Sequence, residues 1–316
     1  MLGKLNSYVK RIGVFLIVAA LLAGMVGCGG GGYNPPPSQN LEIRTWYDLN
    51  ATRDNLAGHH TLMNDLNSTT AGYEELASPT ANGGKGWQPI GFYNPQAPTT
   101  YTDFTGTLDG QGHEIHDLFI NRPDEDFVGL FGYVDEGGHI EDIGVVDAYV
   151  IGQDGTSGLV GVNWGTVSNS YSSGNVTGRG FVGGLVGSNA GFSTVTNSYS
   201  TSNVTGTGLV GGLVGLSGGN VSNSYSTGSV TGNLYVGGLV GANDGDVSDS
   251  FWDIETSGQA TSDGGTGKNT TEMQDIDTFS GAGWNIVVVA LNQTNRSYIW
   301  NIANNVTYPF LSWQPV

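Results

Sequence analysis

Three groups of residues have types and spacings that chemistry can use. His113-Glu114-Ile115-His116 places two imidazoles and a carboxylate within four positions, the raw material of a transition-metal site. The spacing is not His-Glu-x-x-His, and residues three apart on a strand point to opposite faces. The two rings are therefore not expected to share a metal. The acids Asp109, Asp117, Asp135 and Asp142 form the second group. Two carboxylates about 5–10 Å apart across one bond can hydrolyse a glycoside. The competing reading is that Asp109, before Gly110, is a turn residue, and that Asp117 and Asp142 belong to stacked corners. The third group offers hard oxygen donors for calcium at Asp124 and Asp126, and at Asp244, Asp246 and Asp249. Neither cluster has the glycine and glutamate positions of an EF-hand loop. Gly264-Gly-Thr-Gly-Lys-Asn269 has the glycines and lysine of a phosphate loop without its full pattern.

What positions these residues is a repeat. Gly-Leu-Val-Gly begins at Gly158, Gly184, Gly212 and Gly238, a period of 26, 28 and 26 residues. Each copy continues to a second valine at Val167, Val195, Val221 and Val247, within Val-Ser/Thr-Asn/Asp-Ser-Tyr/Phe. The first three reach a third valine at Val176, Val204 and Val230, followed by Thr-Gly. A fixed period in this range marks a repeat architecture. Three apolar anchors at nearly equal arc length, separated by Gly, Asn and Ser, describe a three-sided coil with one strand per side. One turn cannot bury its anchors. Turns stacked at about 4.8 Å can, each strand pairing in parallel with its equivalents. Asn169, Asn197, Asn223 and Asp249 should then form one column, reaching back to Asp142, and Tyr171, Tyr199, Tyr225 and Phe251 another. Leu108, Ile115, Ile120, Leu130, Ile140 and Val150 are the core anchors expected of the earlier turns. The fold class is all-β: a single-stranded parallel β-helix, taken as right-handed because that is the commoner hand, capped at both ends.

These Gly-Leu-Val-Gly copies, with a fifth at Gly129-Leu-Phe-Gly132, resemble the GLUG motif repeats of bacterial cell-surface proteins. Phe104-Thr-Gly-Thr-Leu-Asp-Gly-Gln-Gly-His113 is similar to the opening turns that precede such repeats. The resemblance implies a surface adhesin, or an accessory region of a large secreted protease. No zinc-protease signature is present, so proteolysis is not carried over.

The flanks complete the organisation. Lys4, Lys10 and Arg11 precede an apolar run from Ile12 to Gly27, which ends at Cys28, the one cysteine of the chain. This resembles a lipoprotein signal, which implies cleavage after residue 27 and lipidation of Cys28. Residues 28–40 read as a Gly/Pro tether, 41–103 as an N-terminal cap with a long loop over 69–100, 104–252 as the coil and 253–316 as a C-terminal cap. Within that last cap, Asn269-Thr-Thr-Glu272 reads as a helix start, and the aromatic tail ending near Trp313 should plug the open end of the core. Acidic residues outnumber basic ones 28 to 10, for a net charge of −18, which argues against a nucleic-acid partner. Residues 151–240 carry only Asp154 and Arg179, leaving a hydroxyl and amide surface. The expectation is a monomer in the bacterial cell envelope, anchored to the membrane through Cys28, that binds glycan or surface protein and performs no catalysis. No cofactor is expected, with calcium the one candidate. The alternatives are a carbohydrate-active enzyme, a polysaccharide lyase or glycosidase with its site near 104–150, and a structural spacer.

Overall fold

The computed structural model describes residues 40–91 and 102–314. Cys28 and the segments before it lie outside the described residues. The repeats wind into a parallel β-helix. One wall stacks Phe131–Val134, Val160–Asn163, Val186–Asn189, Val214–Ser217 and Val240–Asn243. The registers are those of the repeat, with Val160 against Val186, Val186 against Val214 and Val214 against Val240. A second, larger sheet holds the second and third valines, and Val167, Val195, Val221 and Val247 are in register there. A narrow third sheet aligns Thr156, Val182, Val210 and Val236. The apolar anchors point inward: Leu159, Val167, Val176, Leu185, Val195 and Val204 are all buried in one continuous core. The anchors of the earlier turns, Leu108, Ile115, Ile120, Leu130, Ile140 and Val150, are buried with them.

Each turn is more finely broken than one strand per side. Between Val195 and Val204 the chain bends at Asn197 and again after Ser200, so the large sheet carries three short strands in that turn and in the next, while in the turn before them Tyr171–Thr177 stays one strand with a bulge after Ser172. The first bend is made by left-handed residues. Asn169, Asn197, Asn223 and Asp249 have φ of 47°, 48°, 47° and 46°, and Asp142 in the preceding turn has 52°. Asparagine and aspartate tolerate this region better than other non-glycine residues, so the corner dictates the Asn column.

The N-terminal part adds rungs as well as covering them. Glu42–Ile43 pairs in parallel with His59–Leu62, which pairs with Thr107–His116 in the large sheet. The helix Trp46–Ala51 is started by a capping box between Thr45 and Asp48 and buries Trp46 beside Trp87 and Tyr73. Of the stretch read as a long loop, 92–100 lies outside the described residues; the rest contains a helical turn at Tyr73–Leu76 and a tight turn over Ala81–Gly84 with left-handed Asn82 and Gly83, and it buries Trp87 and Ile90.

The C-terminal segment differs from expectation in a way that matters for the site. The open end is closed by Trp252, not by the aromatic tail. Trp252 occupies the register position of Ser226, lies in the coil's own core and fills the space over Gly238. The strand Thr266–Lys268 adds one last rung beside it. The tail instead folds back along the flank of the coil. There Met273, Phe279, Trp284, Trp300, Ile302 and Leu311 form a second core against Tyr171, Tyr199, Tyr225 and Phe251. The reason is the tyrosine column itself. Its residues neighbour buried inward serines in the sequence, so period-two alternation turns the rings outward. Three stacked tyrosines, continued in register by Phe251, whose ring packs on Phe279 and Trp284 instead, make an apolar stripe that must be covered. Asp253, fully buried, ties the cover down by accepting hydrogen bonds from Tyr308 Oη and Thr270 Oγ1, each at 2.7 Å.

Candidate cleft between the coil and its C-terminal flank

The ladder and its cover meet at a seam. Tyr171, Tyr199 and Tyr225 stack with centroids 4.8 and 4.9 Å apart and planes within 2°. Above Tyr171 the register position belongs to Gly144, then Glu114. A side chain at Gly144 would collide with the Tyr171 ring. With glycine there, Tyr171 reaches across and its hydroxyl donates to the buried Glu114 carboxylate, whose other oxygen lies 3.0 Å from His116 Nε2. Burial pushes the Tyr171 and Tyr199 phenols well above the usual range, so they stay protonated donors. On the cover side, Gln314 Nε2 donates to Tyr199 Oη at 2.7 Å and Tyr225 Oη donates to the Pro309 carbonyl at 2.5 Å.

At the Asn-column edge of this seam is a cleft of about 360 Å³, near the small end of ligand pockets. One wall is the left-handed corner, with Asp142 and Asn169. The other is the segment Asn285 and 296–299, and Leu311, Ser312 and Trp313 make the floor. The segment is held from behind by Asn301, which is fully buried and donates from Nδ2 to the Asn295 carbonyl at 3.2 Å. Asn285 Oδ1 accepts from the Ile299 backbone at 2.7 Å. Trp313 is fixed by donating Nε1 to the Asn169 carbonyl at 3.3 Å and by lying 5.8 Å from the Tyr171 ring. The Asp142 carboxyl is raised above its ordinary range. Burial is the main cause, the Asn169 amide works in the opposite direction, and Glu141 and Asp109 add to the rise. Asn169 Oδ1 is buried without a hydrogen-bond partner. Tyr298, 38% exposed, lines the same cleft. The arrangement provides a carboxyl, a guanidinium and two aromatic rings around a polar space.

The residues singled out from sequence are distributed as follows. Asp142 lines the cleft. Asp109 sits one turn away, in register with Glu141, and accepts from the Gln111 backbone at 2.8 Å in the manner of a turn residue. Asp117 is at a different left-handed corner and accepts from the Ser68 backbone at 3.1 Å. Asp135 is at the corner beside Asp103, whose carboxyl it helps raise to about 6, behind the larger effect of burial. The four acids do not converge. His113 and His116 take different carboxylates, Asp65 and Glu114. Among the described residues no three His, Cys, Asp or Glu side chains gather as a metal-holding group. Asp126 instead accepts from the Asp154 backbone at 3.1 Å, Asp124 is exposed, and Asp244, Asp246 and Asp249 lie exposed at the last turn. Asp154 and Arg179, the two charges of residues 151–240, pair with each other at 2.9 Å.

Sequence reasoning missed Asn285, Arg296 and Tyr298, which belong to no repeat. It also missed the buried Asn163–Asn189 pair inside the coil, linked at 2.9 Å. That pair was legible as the asparagine two positions after Gly161 and Gly187.

With the geometry in place, comparison with known proteins agrees with the coil. The GLUG motif matches residues 180–205 and 206–231. The chain carries GLUG repeats. Halomucin of Haloquadratum walsbyi is 35% identical over 190 residues, 59% of this chain and 2% of that protein. A protein of Evansella cellulosilytica described as a Gly-rich membrane protein is 33% identical over 115 residues, 35% of this chain and 12% of that one. The GLUG chain therefore spans a small fraction of either relative. A Bacteroides ovatus crystal structure, described as that of a candidate immunoglobulin A1 protease, superposes with a TM-score of 0.58. It covers 89% of this chain and 94% of its own at 17% identity, a likeness of fold alone.

Proposed function

We propose that this GLUG-repeat β-helix is displayed at the cell envelope, anchored through Cys28, and binds saccharide in the cleft between its coil and its C-terminal flank. The single observation that carries this reading is the cleft's composition. Tyr298 and Trp313 supply ring faces, Ser297 supplies a hydroxyl, and Asp142 supplies a carboxyl. Saccharide sites combine apolar ring faces with a few well-placed polar groups in this way. The neutral coil wall, where Asp154 and Arg179 cancel, suits approach to a hydroxyl-rich surface. The envelope location draws support from the Gly-rich membrane protein among the relatives and from the leader ending at Cys28.

A binding role is favoured over hydrolysis because a glycosidase needs two carboxyls across one bond. Asp142 is the one acid lining the cleft, and Asp109 is not among its lining residues. The test is isothermal titration of the full-length chain with a panel of oligosaccharides, with and without calcium, and product analysis of each mixture. Tyr298→Ala, an exposed change, should weaken binding severalfold through loss of ring contact. Binding that is indifferent to Tyr298→Ala, or absent from the whole panel, overturns the reading. Released sugars would replace it with the glycosidase.

A further inference from the structure

The chain is poor in cations, and those it has are occupied. Of the seven lysines and arginines among the described residues, six hold a carboxylate or a backbone carbonyl. Arg44, Lys85, Arg122, Arg179 and Lys268 pair with acids, and Arg53 donates to the Pro89 carbonyl at 2.7 Å. Arg296 has no such partner among the described residues, and it lines the cleft. Resting on the saccharide reading above, we propose that the cleft selects acidic saccharides, with Arg296 receiving the carboxylate of a hexuronate whose ring lies against Tyr298 and Trp313.

The chemistry fits at each end of the ligand. A guanidinium is a planar fork of donors that matches a carboxylate with two parallel hydrogen bonds. The hydroxyls of the sugar, which both donate and accept, meet the Asp142 carboxyl on the opposite wall. The acidity of the whole chain does not forbid an anion here. At physiological salt, charges more than about 8 Å away are screened. The one acid lining the cleft is Asp142. The loop that presents Arg296 is also fixed before any ligand arrives. The Ser297 backbone donates to Asn295 Oδ1 at 3.0 Å, and Asn301 grips the Asn295 carbonyl. Less ordering is then needed on binding.

The experiment compares a galacturonate trimer with the same trimer after its carboxylates are reduced to primary alcohols, titrated into the full-length chain. The acidic trimer should bind about tenfold tighter, as expected for charged hydrogen bonds. That ratio should shrink as sodium chloride is raised. Arg296→Gln should bring the ratio to near unity while leaving the thermal unfolding curve unchanged, and Arg296→Lys should restore part of it. Equal binding of the two trimers, or a preference that survives Arg296→Gln, overturns the inference and leaves the saccharide reading standing. If neither trimer nor any neutral oligosaccharide binds, both fall.

Discussion

Truncating Tyr199 to alanine tests the central structural inference, that the tyrosine column is the seam joining coil to flank. Tyr199 is fully enclosed by two parallel neighbours at 4.8 and 4.9 Å and by Trp300 at 6.0 Å. Removing a buried aromatic ring costs about 3–5 kcal/mol. Each stack adds about 0.5–1.5 kcal/mol beyond burial, so the upper end of that range is expected, near 5 kcal/mol. Tyr199→Phe is the control. It keeps both stacks and loses only the acceptor for Gln314 Nε2, a cost of about 1 kcal/mol. Tyr199→Leu keeps apolar volume without the ring and should fall between them. Urea unfolding followed by far-ultraviolet circular dichroism measures all three. Stacked coils can lose their ends before their middle, so hydrogen exchange at the Trp300 and Ile302 amides supplies a local readout. Tyr199→Ala should release the flank first. A cost below about 1 kcal/mol for alanine, or equal costs for alanine and phenylalanine, would refute the idea that ring stacking holds the seam.

Two further outcomes follow from the corners. Asn197 sits at φ 48°, so Asn197→Ala should cost about 1 kcal/mol by strain in the left-handed region, whereas Asn197→Gly should be close to neutral in the same urea assay. Asp103 is raised to about 6 by burial and by Asp135, so the folded chain holds this proton more tightly than the unfolded one. Stability should therefore fall as pH rises from about 4 to 6. Asp103→Asn should remove that slope and stabilise the protein at pH 7 by about 1 kcal/mol, after discounting for partial exposure. A slope unchanged in the variant would show that other groups cause it.

The coil was legible because a repeat states its own register. Positions 26 to 28 apart in sequence had to coincide in space, and Tyr171, Tyr199 and Tyr225 do. The Asn column was equally visible, since amides recur there and few other side chains accept a left-handed corner. Two kinds of feature were not legible. Which way the tyrosines face depends on the neighbouring serines. Ser172 and Ser226 turn inward to donate to the Gly184 and Gly238 carbonyls at 2.8 and 2.7 Å, and that choice pushes the rings out. Without it, the aromatic tail looked like a plug for the end, when it was needed on the flank. The cleft was hidden for a different reason. Its walls come from Asp142 and Asn169 on one side and residues beyond 284 on the other, and no period connects them.

That separation explains why the cleft lies where it does. A regular coil repeats one surface at every turn, and a surface that repeats cannot single out one ligand position. Specific recognition requires the repeat to be broken. In this chain it is broken twice along the same corner. Gly144 interrupts the aromatic column and lets Tyr171 lean towards Glu114. Trp313 then packs against Gly112 and Tyr171. The corner also passes from asparagine at Asn169 to an acid at Asp142, where burial and neighbouring acids alter the carboxyl. The non-repeating flank meets the coil at this irregularity, bringing the one cation that nothing else in the described chain has claimed. The repeats thus supply rigidity and reach, and recognition is confined to the edge where the pattern fails.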